Sequence, residues 1–327
     1  MARLTKCSAI RAGALAGFLM IVFAGPADGR IVGSGTPASC TSKAVVAAVR
    51  AGGIIRFSCG PEPVKIRMRK TAKVVNTSKQ VVLIGGGKVT LDGDGKRRIL
   101  YMDTCDPKQI WTTSHCQNQA TPRLVVRGMG FTGGDSTGQK FDGGGGGAIF
   151  DRGGRLRIVN STFTGNRCER TGPDIGGGAV RALSQFRNLP IEVIGSTFRR
   201  NVCSNGAALS SIGVSWHVSG GRFFGNRAIG RGANPARKGT PGGGSGGAIY
   251  NDGNRFNLVI DDSVFAGNHA REGGGAIFFV SNDRTGRLKI RHSTLRDNPS
   301  DGFETAGFPG IFFLGKGRPQ VVGSKLR

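Results

Sequence analysis

Apolar and polar positions along this chain obey a repeating rule. The phrase F-x-x-N recurs as Phe163–Asn166, Phe198–Asn201, Phe223–Asn226 and Phe265–Asn268, with Leu295–Asn298 as a variant. The Asn-to-Asn spacings are 35, 25, 42 and 30 residues. Ahead of each Phe stands a second anchor of the form G-A-[IVA]: Ala148-Ile149, Ala179-Val180, Ala207-Ala208, Ala248-Ile249 and Ala276-Ile277, with a degenerate copy at Gly310-Ile311-Phe312. Between the anchors run alternating triplets such as Leu156-Arg157-Ile158, Leu258-Val259-Ile260 and Leu288-Lys289-Ile290, which is strand patterning.

Three residues before each Phe the column reads Asn160, Gly195, Gly220, Asp262 and His292, with Gly128 before Phe131. These residue types most readily accept a positive φ, so the column predicts one tight bend repeated on every turn. Each repeat then holds three short strands and three bends, the unit of a parallel β-solenoid in which like residues stack over like. Ile149, Val180, Ala208, Ile249 and Ile277 are expected to point inward. The Phe side chains form a second internal stack, and Asn166, Asn201, Asn226, Asn268 and Asn298 a hydrogen-bonded ladder.

The ends depart from this rule. Residues 40–53 read as a short amphipathic helix capped by Thr41 or Ser42 and ended by Gly52, part of an N-terminal cap at 38–60. Strands are predicted at 54–57, 65–68, 81–84 and 89–91, and 316–327 is read as a polar tail crossing the last coil. At the start, Arg3, Lys6 and Arg11 precede an apolar run, 14–24, and small residues allow cleavage near Ala27 or Gly29. That is the layout of a secretory signal, residues 1–29, leaving a secreted domain at 30–327 with no further span.

Composition adds a partner class. The formal charge is +26, which favours polyanions: an acidic polysaccharide or an anionic cell-surface polymer. Binding of nucleic acid through charge alone is a weaker reading, because no nucleic-acid motif is present. The chain is read as a monomer. Six cysteines follow the signal, an even number that suggests disulfides. Cys168 and Cys203 each stand two residues past a ladder Asn and so fall at one place on successive coils, within disulfide reach. Cys40–Cys59 and Cys105–Cys116 follow by proximity. No C-x-x-C occurs, and His115, His217, His269 and His292 are scattered, so zinc is not expected and metal use stays open; the last three are read as structural.

The phrase GGGKVTLDGDG (85–95), the repeats GGAIF and GGAIY with NSTFTGN (160–166), and FETAGFPGIFFLGKG near the end resemble secreted bacterial right-handed parallel β-helix proteins of the pectate-lyase-like superfamily. The repeats are also similar to those of polymorphic outer-membrane proteins and adhesins. The resemblance implies an all-β, single-stranded right-handed β-helix over about residues 38–318, with ligands along the sheet that begins at each G-A-[IV] triplet.

Alternation turns the next residue of each triplet outward: Phe150, Arg181, Leu209, Tyr250, Phe278 and Phe312. Such rings could stack on sugars while Arg181 pairs with a carboxylate. The plainer reading packs the rings on one another under the long loops. The loop 227–245 brings Arg227, Arg231, Arg237 and Lys238 without an acid, and suits either an acidic polymer or a disordered insertion. Acids near this face are Asp142, Asp151, Asp174, Asp252 and Glu304. The expected catalytic set is Asp151, Asp174, Arg181 and Asp252, and the expected binding set Phe150, Arg181, Tyr250, Phe278, Arg237 and Lys238. By the resemblance, a lyase would use a Lys or Arg base and an arginine or Ca2+ against the uronate; a glycoside hydrolase would use two carboxylates. The rival to both is a non-catalytic, adhesin-like solenoid.

Overall fold

A computed structural model describes residues 29–139 and 143–327. The signal-peptide residues 1–28 and Asp142 lie outside the described residues. All the paired strands are parallel, and successive turns of the chain stack in register as a parallel β-helix. One sheet has eight strands in strict order along the axis, from Ala72–Lys73 through Leu100–Asp103, Ile149–Arg152, Val180–Ala182, Leu209–Ile212, Ile249–Gly253 and Ile277–Ser281 to Ile311–Leu314. A second sheet of seventeen strands covers the other two sides, because Gln80–Arg97 and Arg123–Gly134 run unbroken through the bend between those sides. A three-stranded strip follows the Asn ladder at Val202–Cys203, Arg227–Ala228 and His269–Ala270.

The expected bend is present on every turn. Asn160, Asp262 and His292 adopt φ of 46°, 50° and 48°, matching Gly128, Gly195 and Gly220 at 56–63°. Inside, Phe131, Phe163, Phe198, Phe223 and Phe265 stack with centroids 4.3–4.9 Å apart and planes within 9°. The Asn ladder is continuous: each Nδ2 donates to the Oδ1 of the next asparagine at 2.8–3.0 Å, from Asn166 to Asn298. Each Oδ1 also accepts the preceding asparagine's backbone N–H, so the buried bend has no orphaned amide. A serine ladder, not foreseen, stands beside it. Ser196, Ser263, Ser293 and Ser324 each accept a backbone N–H of the coil before.

The N-terminal helix spans Ser42–Ala51; Thr41 is its cap, accepting from Ala44 N at 3.2 Å, and Gly52 ends it at φ 73°. Its buried Val45 and Val49 belong to the same core as Ile55 and Ala72, so the helix closes the end of the cylinder. Gly29–Val32 adds a strand beyond it, paired with Gly53–Phe57. At the other end the chain does not stray. Gln320–Val322 and Lys325–Leu326 pair with Arg287–Arg291 and Thr294–Arg296 and make a further partial coil. The three disulfides join Cys40–Cys59, Cys105–Cys116 and Cys168–Cys203, with Cα–Cα separations of 5.6, 4.9 and 4.8 Å.

One column needs correction. Leu209, not Ala208, lies in register with Val180 and Ile249. Leu209 therefore points inward, and Ser210 takes the outward place beside Arg181 and Tyr250.

Candidate functional site: a groove over the eight-stranded sheet

The outward column of the eight-stranded sheet runs Tyr101, Phe150, Arg181, Ser210, Tyr250, Phe278 and Phe312. Its rings are not displayed to solvent. Phe150 and Tyr250 are 0% exposed and Phe278 is 2% exposed. Phe150 stacks on Tyr101 at 5.4 Å, with the Arg98 guanidinium 4.8 Å from its ring centroid. Tyr250 stacks on Phe278 at 5.0 Å, and Phe278 on Phe312 at 5.2 Å. Self-packing beneath the loops is what the chain does with most of this column.

The loops that cover the column leave a groove. One cavity of about 590 Å³ is lined by Arg152, Asp174, Arg181, Leu183, Asp252 and Asn282, among others. A second, of about 460 Å³, shares Asp174, Asp252 and Asn282 and continues past Phe278, Phe303, Phe312 and Leu314. The two meet at the carboxylates, so the groove has an arginine end, an acidic middle and an apolar end.

Asp252 ends its strand and is held from both sides. Its Oδ1 accepts from Gly253 N at 2.6 Å and Asn282 Nδ2 at 3.3 Å, and its Oδ2 accepts from Tyr250 Oη at 2.9 Å. Burial pushes the Asp252 carboxyl above the usual range, and the charge of Asp174 adds to this; the hydrogen bonds from Tyr250 and Gly253 oppose it without cancelling it. Burial also pushes the Tyr250 phenol well up, so it stays a donor. Asn234 Nδ2 in turn donates to Tyr250 Oη at 2.6 Å and to the Pro173 carbonyl, tying the loop before Asp174 to the loop after Ala228.

Arg181 is 1% exposed. It donates to Ser210 Oγ at 2.6 Å and to the Asp174 carbonyl, while its Nε has no partner among the described residues. Burial lowers its pKa to about 10, against the raising effect of Tyr250, Asp174 and Asp252, and so leaves it a cation at neutral pH.

Asp151 does not reach the groove. It follows outward-facing Phe150 by one residue, so alternation turns it into the interior. It is 0% exposed and accepts from Gln185 Nε2, and its Oδ1 is unpartnered. Burial first, and Asp103 second, push its carboxyl well above the usual range. Arg237 is also committed elsewhere, making two hydrogen bonds to Glu272 at 2.9 and 3.0 Å. Glu272 accepts Gly232 N at 2.7 Å as well, and Ala233 and Gly243 exchange backbone hydrogen bonds, so the loop is ordered rather than a loose insertion. Lys238 is exposed on it. Glu304 accepts Gly310 N at 2.8 Å. His217 and His269 contact Asp261 and Asp301 at 2.9 and 2.8 Å, and His292 sits in the bend.

Sequence reasoning missed Tyr250 as an acid's partner, Asn234, and the ring of Phe303 as a groove wall, whereas Phe312 stands on the outward column as expected. The first had a signal, Tyr250 lying two residues before Asp252 on one strand face. Among the described residues no three His, Cys, Asp or Glu side chains gather as a metal cage. Two carboxylates and an amide fall short of the six to eight oxygens Ca2+ takes, so the groove's own residues do not fit that ion.

No curated protein and no solved structure matches the chain. Residues 262–280 match the Chlamydia polymorphic membrane protein repeat. The matched stretch is one coil's worth of ladder: it holds Ser263, Phe265, Asn268 and the Ile277 anchor, the residues that build the interior. The similarity therefore concerns how coils stack, and residues 262–280 are similar to that repeat in this respect.

Proposed function

We propose that this chain, working outside the cell, engages a polysaccharide in the groove over the eight-stranded sheet and cleaves it by acid-assisted hydrolysis. Three disulfides and a surface-protein repeat support the location. One observation carries the chemistry: Asp174 and Asp252 face the same groove, and Asp252, half-buried there, has its carboxyl raised by burial. A protonated Asp252 would give its proton to the glycosidic oxygen as that C–O bond breaks, and exposed Asp174 would take a proton from the water that adds to the anomeric carbon. Phe303 and Phe312, half-buried over Phe278, would seat a sugar face at the apolar end, while Arg181 holds positive charge beneath the carboxylates. Lyase chemistry is less well supported, because a guanidinium titrating near 10 remains protonated and is a poor base. The overall charge of +26 favours an acidic chain as substrate.

Incubation with polygalacturonate, alginate and glycosaminoglycans tests this, with new reducing ends and unsaturated products followed in parallel. The expected result is reducing ends without unsaturation, lost in Asp252→Asn. Unsaturated products would indicate elimination instead. A second reading, a non-catalytic adhesin-like solenoid, is favoured by the repeat match; it predicts binding without turnover, indifferent to Asp174→Asn and Asp252→Asn.

A further inference from the structure

The side of the cylinder carrying the Phe stack has its own outward columns, away from the groove. One reads Thr164, Arg199, Phe224, Ala266 and Arg296, and the next Thr162, Thr197, Arg222, Val264 and Thr294. Along these columns and the adjoining strip, three arginines have an acid. Arg67 pairs with Asp94, Arg167 with Asp135 at 2.7 Å, and Arg296 with Asp297 at 3.0 Å. The two middle coils differ. Arg199, Arg200, Arg222 and Arg227 are all exposed, and none has an ion-pair partner among the described residues. The Arg199 guanidinium lies 5.6 Å from the centroid of half-buried Phe224, and Arg199, Arg200, Phe224 and Gly225 line a cavity of about 380 Å³.

Arg200 also occupies an unusual place. It sits two residues past the stacked Phe, where the other coils have Gly133, Gly165, Gly225, Gly267 and Asp297, all at φ 54–64°. Arg200 takes φ 49° there, a conformation glycine enters freely and a long side chain does not. The fold gains nothing from arginine at this bend, and the cluster around it gains a fourth uncompensated cation. Like charges crowded on adjacent strands repel, and an anion between them removes the penalty.

We infer that Arg199, Arg200, Arg222 and Phe224 form a second binding site, for the sulfate or carboxylate groups of an acidic polysaccharide. Guanidinium forks match such anions. The ring offers a sugar an apolar face, and the flanking Thr164 and Thr197 offer hydroxyls. A single ring on a flat sheet offers no row on which successive bases could stack and no element that enters a duplex groove, so a nucleic acid would be held there through its phosphates alone. The inference does not depend on the groove's chemistry.

Binding of heparin and polygalacturonate by the full chain, measured by titration calorimetry across a salt series, tests it. Arg200→Gly restores the residue sibling coils use, so its melting temperature is expected to stay level or rise. Its affinity, combined with Arg222→Thr, is expected to fall about tenfold at low salt, with a shallower salt slope. In an Asp252→Asn background, which removes the proposed cleavage, the Arg200→Gly and Arg222→Thr pair should lower affinity by the same factor, which separates the site from the groove. Arg167→Gln and Arg296→Gln together, which remove the same charge from paired positions, should lower affinity by less than about twofold. Equal weakening by both pairs would mean net charge alone is at work, and would overturn the site. So would unchanged affinity in the first pair, or the same arginine dependence for a DNA oligonucleotide with no glycan binding.

Discussion

Asn226→Ala is the sharpest test of what holds the coils in register. The side chain is fully buried and makes four hydrogen bonds. Its Oδ1 accepts from the backbone N and the Nδ2 of Asn201, at 3.2 and 2.9 Å, and its Nδ2 donates to Phe198 O and Asn268 Oδ1, at 3.1 and 2.8 Å. Alanine removes all four and leaves the partners dry. At about 1 kcal/mol for each bond, the loss is about 4 kcal/mol, with a small cavity besides. That is a large part of a typical folding free energy. Asn226→Asp should do at least as much harm, because a carboxylate keeps the two acceptor bonds but faces Phe198 O and Asn268 Oδ1 without a proton to give. Urea unfolding of the disulfide-intact chain, followed by circular dichroism, measures both. A loss below about 1 kcal/mol for alanine would show that the amide ladder follows the fold instead of supporting it, and the reasoning would fail.

Three further outcomes are expected. Asp151→Asn should stabilise the chain increasingly as pH rises. The folded pKa lies well above the unfolded value near 3.8, so its contribution is complete below that value and is lost on raising pH through the folded pKa; melting curves at pH 4 and 8 should diverge only at the higher pH. Replacing Cys168 and Cys203 together by serine opens a link of sequence separation 35 and should cost about 3–4 kcal/mol, read as a lower melting temperature. Glu272→Gln should loosen the 230–244 loop, and trypsin is expected to cut at Arg231, Arg237 or Lys238 faster than in the parent.

The interior was readable because each of its columns repeats one residue type or one narrow class. Phe (Leu295 once), Asn three later and a bend residue three before leave one register that satisfies all three. The slip at Ala208 shows the limit. Three apolar residues, Ala207, Ala208 and Leu209, follow Gly206, so the anchor fits either of two positions, and a shift of one exchanges inside for outside. The groove was harder. Asp174 comes from one loop and Asp252 from a strand end two coils on, and what joins them is the path of two irregular loops fastened by Asn234. No periodicity encodes that path. Asp151 was misplaced for the opposite reason: its strand does encode its direction, and the alternation that sends Phe150 out sends Asp151 in.

The ladder also governs how such a cylinder could change over time. From Asn201 to Asn226 the chain spends 25 residues, and from Asn226 to Asn268 it spends 42, yet both journeys advance one rung. The surplus leaves the wall as a single excursion on the side of the groove, where extra length costs little closure entropy. Insertions there would remodel what the molecule grips while the barrel beneath keeps its pitch, so specificity and architecture could drift independently.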